Sequence, residues 1–142
     1  NPVGGADWGT ITNIYTNVNS AVAAAEADHM YGPFHLYVAT TQFGQMREVY
    51  TDGSGQSPYE RILQKIPQIK AIKPADVMTD GTAVLVQMTR DVVDMPLALD
   101  IVTIQYAIMG PLATRFVVMA VLTFRVKADA ETHSGIVHIT GI

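Results

Sequence analysis

The sequence of 142 residues contains no cysteine, which excludes disulfides and thiolate metal sites. It is also poor in charge: 15% of residues are Asp, Glu, Lys or Arg, and the formal net charge is −4. Such a chain has no footprint for gripping nucleic acid, because phosphate binding needs clustered Lys and Arg. Long apolar runs are missing as well. The longest, Phe116 to Leu122, is far too short to span a bilayer, and no basic-then-apolar leader opens the chain. The chain is therefore expected to be soluble, with no membrane partner and no direct, sequence-specific nucleic-acid partner. Position 1 is Asn rather than an initiator Met, so the sequence is expected to be a processed or truncated piece of something longer.

What the chain has in abundance is apolar residues, at 49%. Its length suits one domain. The excess of core-type over surface-type residues suggests a subunit that buries extra area against partners. Ile11, Ile14, Tyr15, Val18, Ala21, Val22 and Ala25 fall on one face of a 3.6-residue period, which predicts a helix from Thr10 to Tyr31, capped by Asp7 or Thr10. Gly32 and Pro33 are the expected stop, because Gly closes a helix and Pro cannot continue one. A strand follows at Phe34 to Thr40. Phe43, Met46, Val49 and Tyr50 then space out as a short helix, and the stretch from Asp52 to Gln56 is a flexible loop. Ser57, Pro58 and Glu60 read as a capping box that restarts a helix whose core face is Tyr59, Ile62, Leu63 and Ile66.

Beyond Gln68 the period becomes extended. Ile69 to Ile72 and Ala83 to Met88 are expected strands, as are Ile101 to Met109 and Phe116 to Lys127, joined through Gly110-Pro111-Leu112-Ala113; Ser134 to Ile142 supplies a further short one. In the first long strand Val102, Ile104, Tyr106 and Ile108 share a face opposite Thr103 and Gln105. In the second, Phe116, Val118, Ala120, Leu122, Phe124 and Val126 form the expected core face, with Val117, Met119 and Val121 opposite. One end of this hairpin is thus expected to be buried on both faces.

Catalytic constellations are nearly absent. His133 and His138 are an odd number of residues apart, which sends them to opposite faces of one strand and makes a poor metal pair. Asp91, Asp94 and Asp100 gather near Met95-Pro96, but the apolar residues between them supply no further ligands, so a solvated rim is the better reading. Gly53-Ser54-Gly55 is neither a phosphate loop nor a nucleophile elbow. No catalytic residue, metal ligand, cofactor-binding residue or cofactor is expected, and the chain reads as a non-enzyme.

The order of elements resembles a known family. A helix ending in Tyr31-Gly32-Pro33-Phe34, the strand Leu36-Tyr37-Val38, a short helix ending at Tyr50, a Gly-rich loop, a second helix, two strands, Leu97-Ala98-Leu99-Asp100-Ile101 and a terminal Thr123-Phe124-Arg125-Val126 look like the C-terminal half of the Hong Kong 97-type major capsid protein. The encapsulin nanocompartment shells share that fold. The resemblance implies an α+β fold with a long spine helix, an axial α/β subdomain and a long antiparallel β-hairpin, lacking the N-terminal arm and extended loop of the family. It implies residues 1–9 as a loop or cut end, 10–33 as the spine helix of a peripheral domain, 34–100 as an axial domain, and 101–142 as peripheral return strands and tail.

The implied function is that of a major capsid protein self-assembling into an icosahedral particle, in a virion or, as an encapsulin, in the cytoplasm of a prokaryotic cell. Partners would be copies of the chain in pentamers and hexamers, and its own N-terminal fragment as a separate chain. The resemblance puts the loop with Asp52, Gly53, Ser54 and Gly55 at the axial tip. Trp8, Arg47, Tyr50 and Tyr59 are expected contact anchors, since aromatics and Arg carry most interface energy; Tyr59 equally suits the core. Two other readings remain: a small α/β binding module for a peptide or small ligand, using a cleft between the long helix and the hairpin, and an enzyme with a site around Asp91 to Asp100.

Overall fold

The computed structural model describes residues 2–51, 53–108, 113–131 and 133–142. Its centre is a five-stranded sheet built from β1 (Pro2–Gly4), β2 (Phe34–Val38), β3 (Ile69–Pro74), β4 (Thr82–Gln87) and β9 (Ile136–Thr140), in the order β1-β9-β4-β2-β3. β2 and β3 are parallel, with α2 (Thr40–Gln45) and α3 (Pro58–Lys65) in the crossover between them, as parallel neighbours require. β4 runs antiparallel to both β2 and β9, and β1 lies parallel to β9 at one edge. Residues 2–9, expected as loop, thus contribute a strand.

Strand alternation decides which side chains enter the core. Phe34, Leu36 and Val38 from β2, Leu85 from β4 and Val137 and Ile139 from β9 point to one face and are fully or nearly fully buried. Helices α1 (Ile11–Ala27) and α3 cover that face. α1 contributes Ile14, Val18, Ala21, Val22 and Ala25, and α3 contributes Ile62, with Ile66 just beyond it. The helical face anticipated from spacing is the buried one. Tyr59 and Leu63 pack against this core while remaining partly exposed.

The first helix is shorter than its spacing suggested. It ends at Ala27 rather than Tyr31, capped by Asp28, with the Met30 amide bonded to the Ala25 carbonyl and the His29 amide to the Glu26 carbonyl. His29 takes the left-handed turn at φ 61°, a place Gly usually fills. Gly32, at φ 91°, is left to turn the chain into β2, where its amide donates to Gln87 Oε1 at 3.0 Å. At the other end Thr10 occupies the cap position without a side-chain bond, while the Asp7 carboxylate accepts from the Gly9 amide. α1 shares one core with the sheet, so the segment read as a peripheral spine packs on the elements read as axial.

The largest departure is the hairpin. β6 (Leu97–Ile108) and β7 (Ala113–Leu122) pair only with each other, as a separate two-stranded sheet. A two-residue ladder, β5 (Val93–Asp94) with β8 (Arg125–Val126), marks the point where this arm leaves the body. The expected strands Ile101 to Met109 and Phe116 to Lys127 were each read as presenting a covered face; among the described residues the core is instead closed by β9, which is an inner strand of the sheet rather than an appended one. The connection Gly110-Pro111-Leu112 lies outside the described residues.

Candidate functional site

The arm presents the most unusual surface of the molecule. Ile101 is 72% exposed, Phe116 63%, Val118 66% and Phe124 67%. The burial expected of Phe116, Val118, Leu122, Phe124 and Val126 is therefore corrected: all five are exposed, and among the described residues no part of the body packs over them. Register adds a second observation. Ile104 stands opposite Val117 and Val102 opposite Met119, while Thr103 stands opposite Val118 and Gln105 opposite Phe116. Directly paired residues share a face, so the two expected apolar faces lie on opposite sides of the ribbon. The result is an arm roughly 40 Å long with apolar groups on both faces and, among the described residues, no strand on either outer edge.

Such a ribbon is not self-sufficient. An isolated two-stranded hairpin is marginal in water, and long open edges invite further pairing. Contiguous exposed apolar area of this kind marks a surface that another chain or segment covers.

At the base of the arm Asp94 accepts two hydrogen bonds from Arg125, Nε to Oδ1 at 3.0 Å and Nη2 to Oδ2 at 2.7 Å. Lys127 Nζ approaches Asp94 Oδ2 to 2.8 Å and also donates to the Arg90 carbonyl. The Arg125 bonds, then the Lys127 bond, hold the Asp94 carboxyl far below the usual carboxylate range, and Asp94 in turn raises the Arg125 pKa. Both oxygens are thus committed to cations. Asp100 Oδ1 accepts from the Ile101 amide, and Asp91 joins neither group. The three aspartates do not converge, and among the described residues no set of three His, Asp or Glu is placed to hold a metal ion. His133 sits in the loop before β9, where its Nδ1 lies 3.1 Å from Asp129 Oδ2; His138 is exposed on β9. The His133 amide bond lowers the Asp129 pKa further than any other contact.

The residues expected as contact anchors separate. Trp8 is wholly buried in the main core, so its ring has no surface to offer a neighbour. Tyr50 is also buried, with the Arg61 guanidinium 5.0 Å from its ring centroid, within cation–π range. Arg47 and Tyr59 do meet, with Phe43, around a shallow surface cavity of about 330 Å³. Phe43 and Tyr59 pack edge to face there. Gly53 and Gly55 both have positive φ and open space around the Cα, and the Tyr50 amide bonds the Gln56 carbonyl to close the loop at its base. Asp52 lies outside the described residues. The ligand-binding reading anticipated a cleft between helix and hairpin; the cavity beside α1 is lined by Asn19, Val22 and Glu26 with Lys65 and Gln68 and, among the described residues, takes nothing from the arm.

Spacing missed the Asp94 cluster, although the alternation of Arg125 and Lys127 on one strand side was a readable signal that an anion sits opposite.

No protein-family model and no curated protein matches this sequence. Solved structures do match it. The chain is similar to the virus-like particle from Pyrococcus furiosus, with a TM-score of 0.73 at 16% identity over 97% of this chain and 55% of that one. It is similar also to the capsid of Myoviridae phage XM1, with a TM-score of 0.78 at 13% identity over 99% of this chain and 51% of that one. The fold is thus a mixed helix-and-strand fold of the capsid type, and the chain spans about half the length of these two solved chains. No helix among the described residues is long and apolar enough to cross a membrane.

Proposed function

We propose that this chain is a structural subunit of a self-assembling protein shell, a major capsid protein of the Hong Kong 97 type or the corresponding subunit of an encapsulin compartment. The observation that carries the reading is the arm, which is apolar on both faces and uncovered by its own body. A catalytic protein needs converging acids, bases or donors around a pocket; a shell subunit needs repeated contacts under closed symmetry. The similarity in fold to a virus-like particle and a phage capsid supports the second. Copies of the chain, in pentamers and hexamers, together with an N-terminal portion of the same protein, are the partners proposed to cover the arm, in a virion or in the cytoplasm of a prokaryotic cell.

The test is assembly. Expressed together with its N-terminal portion, the protein is expected to give regular particles or capsomer-sized oligomers by electron microscopy and light scattering. Replacing Phe116 and Val118 together by Ser should suppress those species while leaving the thermal unfolding of the body unchanged, because both side chains are already in water in the lone subunit. A wild-type species that stays monomeric at high concentration overturns the reading.

A further inference from the structure

Among the described strands longer than two residues, four have an open outer edge: β1, β3, β6 and β7. An open edge is a template for further pairing, and folded chains blunt theirs with short strands, Pro, Lys or bulges. Three of the four are blunted in this way. β1 is three residues long and opens on Pro2. β3 carries Lys70 and Lys73, both exposed, and ends on Pro74. In β6 the six residues 97–102 stand opposite the four residues 119–122, so the extra residues bulge on β6, with exposed Asp100 among them. β7 has none of these devices. Its ten residues include no Pro, no Gly and no carboxylate, half of them are β-branched or aromatic, and Arg115 is its one charge. From 113 to 119 it keeps unbroken register with β6.

We infer that the outer edge of β7 pairs antiparallel with β7 of a second copy, across a two-fold axis near Val117 and Val118, joining two arms into one four-stranded sheet. The inference rests on the shell reading and deepens it by naming one subunit contact. An open edge takes a strand, because only extended backbone presents N–H and C=O groups at matching spacing. Every copy carries the same unblunted edge, and a two-fold axis satisfies both at once. Pairing along the whole strand supplies about ten backbone hydrogen bonds between the copies, the number a standard protein interface carries. It also gives the marginal two-stranded ribbon the further strands that a stable sheet needs. Charge sets the direction. Antiparallel pairing about the middle of β7 leaves the two Arg115 positions roughly five residues, or about 17 Å, apart, beyond the screening length at physiological salt. Parallel pairing in register would set them side by side at about 5 Å. The residues that meet around the axis, from Phe116 to Met119, are all apolar, which suits cross-strand pairs on both faces. Such a contact is isologous and builds no ring; in a closed shell it ties a subunit of one ring to a subunit of the next.

Absence of native cysteine permits single spin labels, and Thr114, Val118 and Leu122 are all exposed in the lone subunit. In the assembled full-length protein, a label on Val118→Cys should report a shortest distance between subunits of about 10 Å, and labels on Thr114→Cys or Leu122→Cys roughly 20–35 Å, because those positions run away from the axis in opposite directions. Val118→Lys and Val118→Asp, each alone, set like charges against each other at the axis. Each should raise the concentration needed for assembly by about fivefold, the scale of one cross-strand pair. An equimolar mixture of the two should recover the loss, which a folding defect would not. Short distances at all three sites or at none overturn the contact, as does a mixture no better than its parts; a strand from the N-terminal portion of the same protein seated on β7 would give no short distance and no recovery. Particles that form with those results leave the shell reading standing. A protein that stops at dimers with the expected distances keeps the contact and overturns the shell, and one that stays monomeric overturns both.

Discussion

Arg125 grips Asp94 with two nitrogens across the two-residue ladder that joins arm to body, and Lys127, on the same side of the strand, reaches the same carboxylate. The main-chain bonds at this junction are few: Lys127 N to the Val92 carbonyl, Thr123 N to the Pro96 carbonyl, and the ladder itself. Pro96 interrupts donation just before β6 begins. A single carboxylate thus adds three charge-assisted contacts at the place where the hairpin has least backbone to hold it, and it fixes the direction in which the arm leaves the body.

Asp94→Asn should loosen the junction without unfolding the body. The expected readout is faster hydrogen exchange at the Lys127 amide, with exchange in α1 unchanged. The pH dependence follows from the depressed carboxyl. A group whose folded pKa lies below its unfolded value contributes fully above the unfolded value, the ordinary carboxylate range near 4, and loses that contribution as pH falls towards the folded one. Wild-type exchange at Lys127, taken relative to the intrinsic amide rate at each pH, should therefore rise as the solution is acidified below that range, and Asp94→Asn should show the higher relative rate throughout. Arg125 and Lys127 are substantially exposed, so added salt should narrow the difference. If the variant and the wild type exchange alike at neutral pH and low salt, Asp94 is not the latch.

Local chemistry was legible in the sequence and long-range pairing was not. Ser57, Pro58 and Glu60 announce a helix start within four consecutive residues, and the core stripe of α1 repeats within one element. The helix stop was misplaced because His29, not Gly32, took the first left-handed turn, a conformation that His adopts more readily than most non-Gly residues. Alternation in 101–126 correctly signalled strands, but an apolar pattern records only that side chains need cover, not whether the cover comes from the same chain. Trp8 suffered the same ambiguity in reverse, since a large aromatic suits a core as well as an interface. Asp94 read as a solvated rim because its cations come from a strand reached only after the whole hairpin.

The capping box at α3 offers a second prediction. Ser57 Oγ accepts from the Glu60 amide at 3.3 Å, and Glu60 Oε2 accepts from the Ser57 amide at 3.2 Å. Ser57→Ala removes the first bond and should destabilise the protein by about 1 kcal/mol in denaturant unfolding. Ser57→Gly should cost less, because Gly is itself tolerated at this position. Equal stability of wild type and Ser57→Ala would show that the cap is idle. α3 carries Ile62 into the main core and Tyr59 to the cavity beside Arg47, so the loss should register as global unfolding rather than as local fraying.

Gly135 provides the third. A Cβ there would meet Val92 Cγ2 at 2.6 Å, Val92 Cγ1 at 2.9 Å and Gln87 Cβ at 3.0 Å. Its φ is not positive, so space alone forbids the side chain. Val92 is almost fully buried, and Gln87 donates its amide to the Gly135 carbonyl at 2.8 Å, so neither neighbour can swing away without breaking packing or a strand bond. Gly135→Ala should therefore destabilise by roughly 1–3 kcal/mol, the range for overpacking. Val92→Ala alone should also destabilise, through the cavity it leaves. The two together should cost less than their sum, because the methyl added at one site occupies room vacated at the other; Gln87 Cβ stays where it is, so relief is partial. Strict additivity in this double-mutant cycle would mean that the Gly135 contact is not what excludes the side chain. The contact joins the entry of β9 to the segment just before the arm, so its loss should also raise exchange at the Lys127 amide, whose acceptor is the Val92 carbonyl.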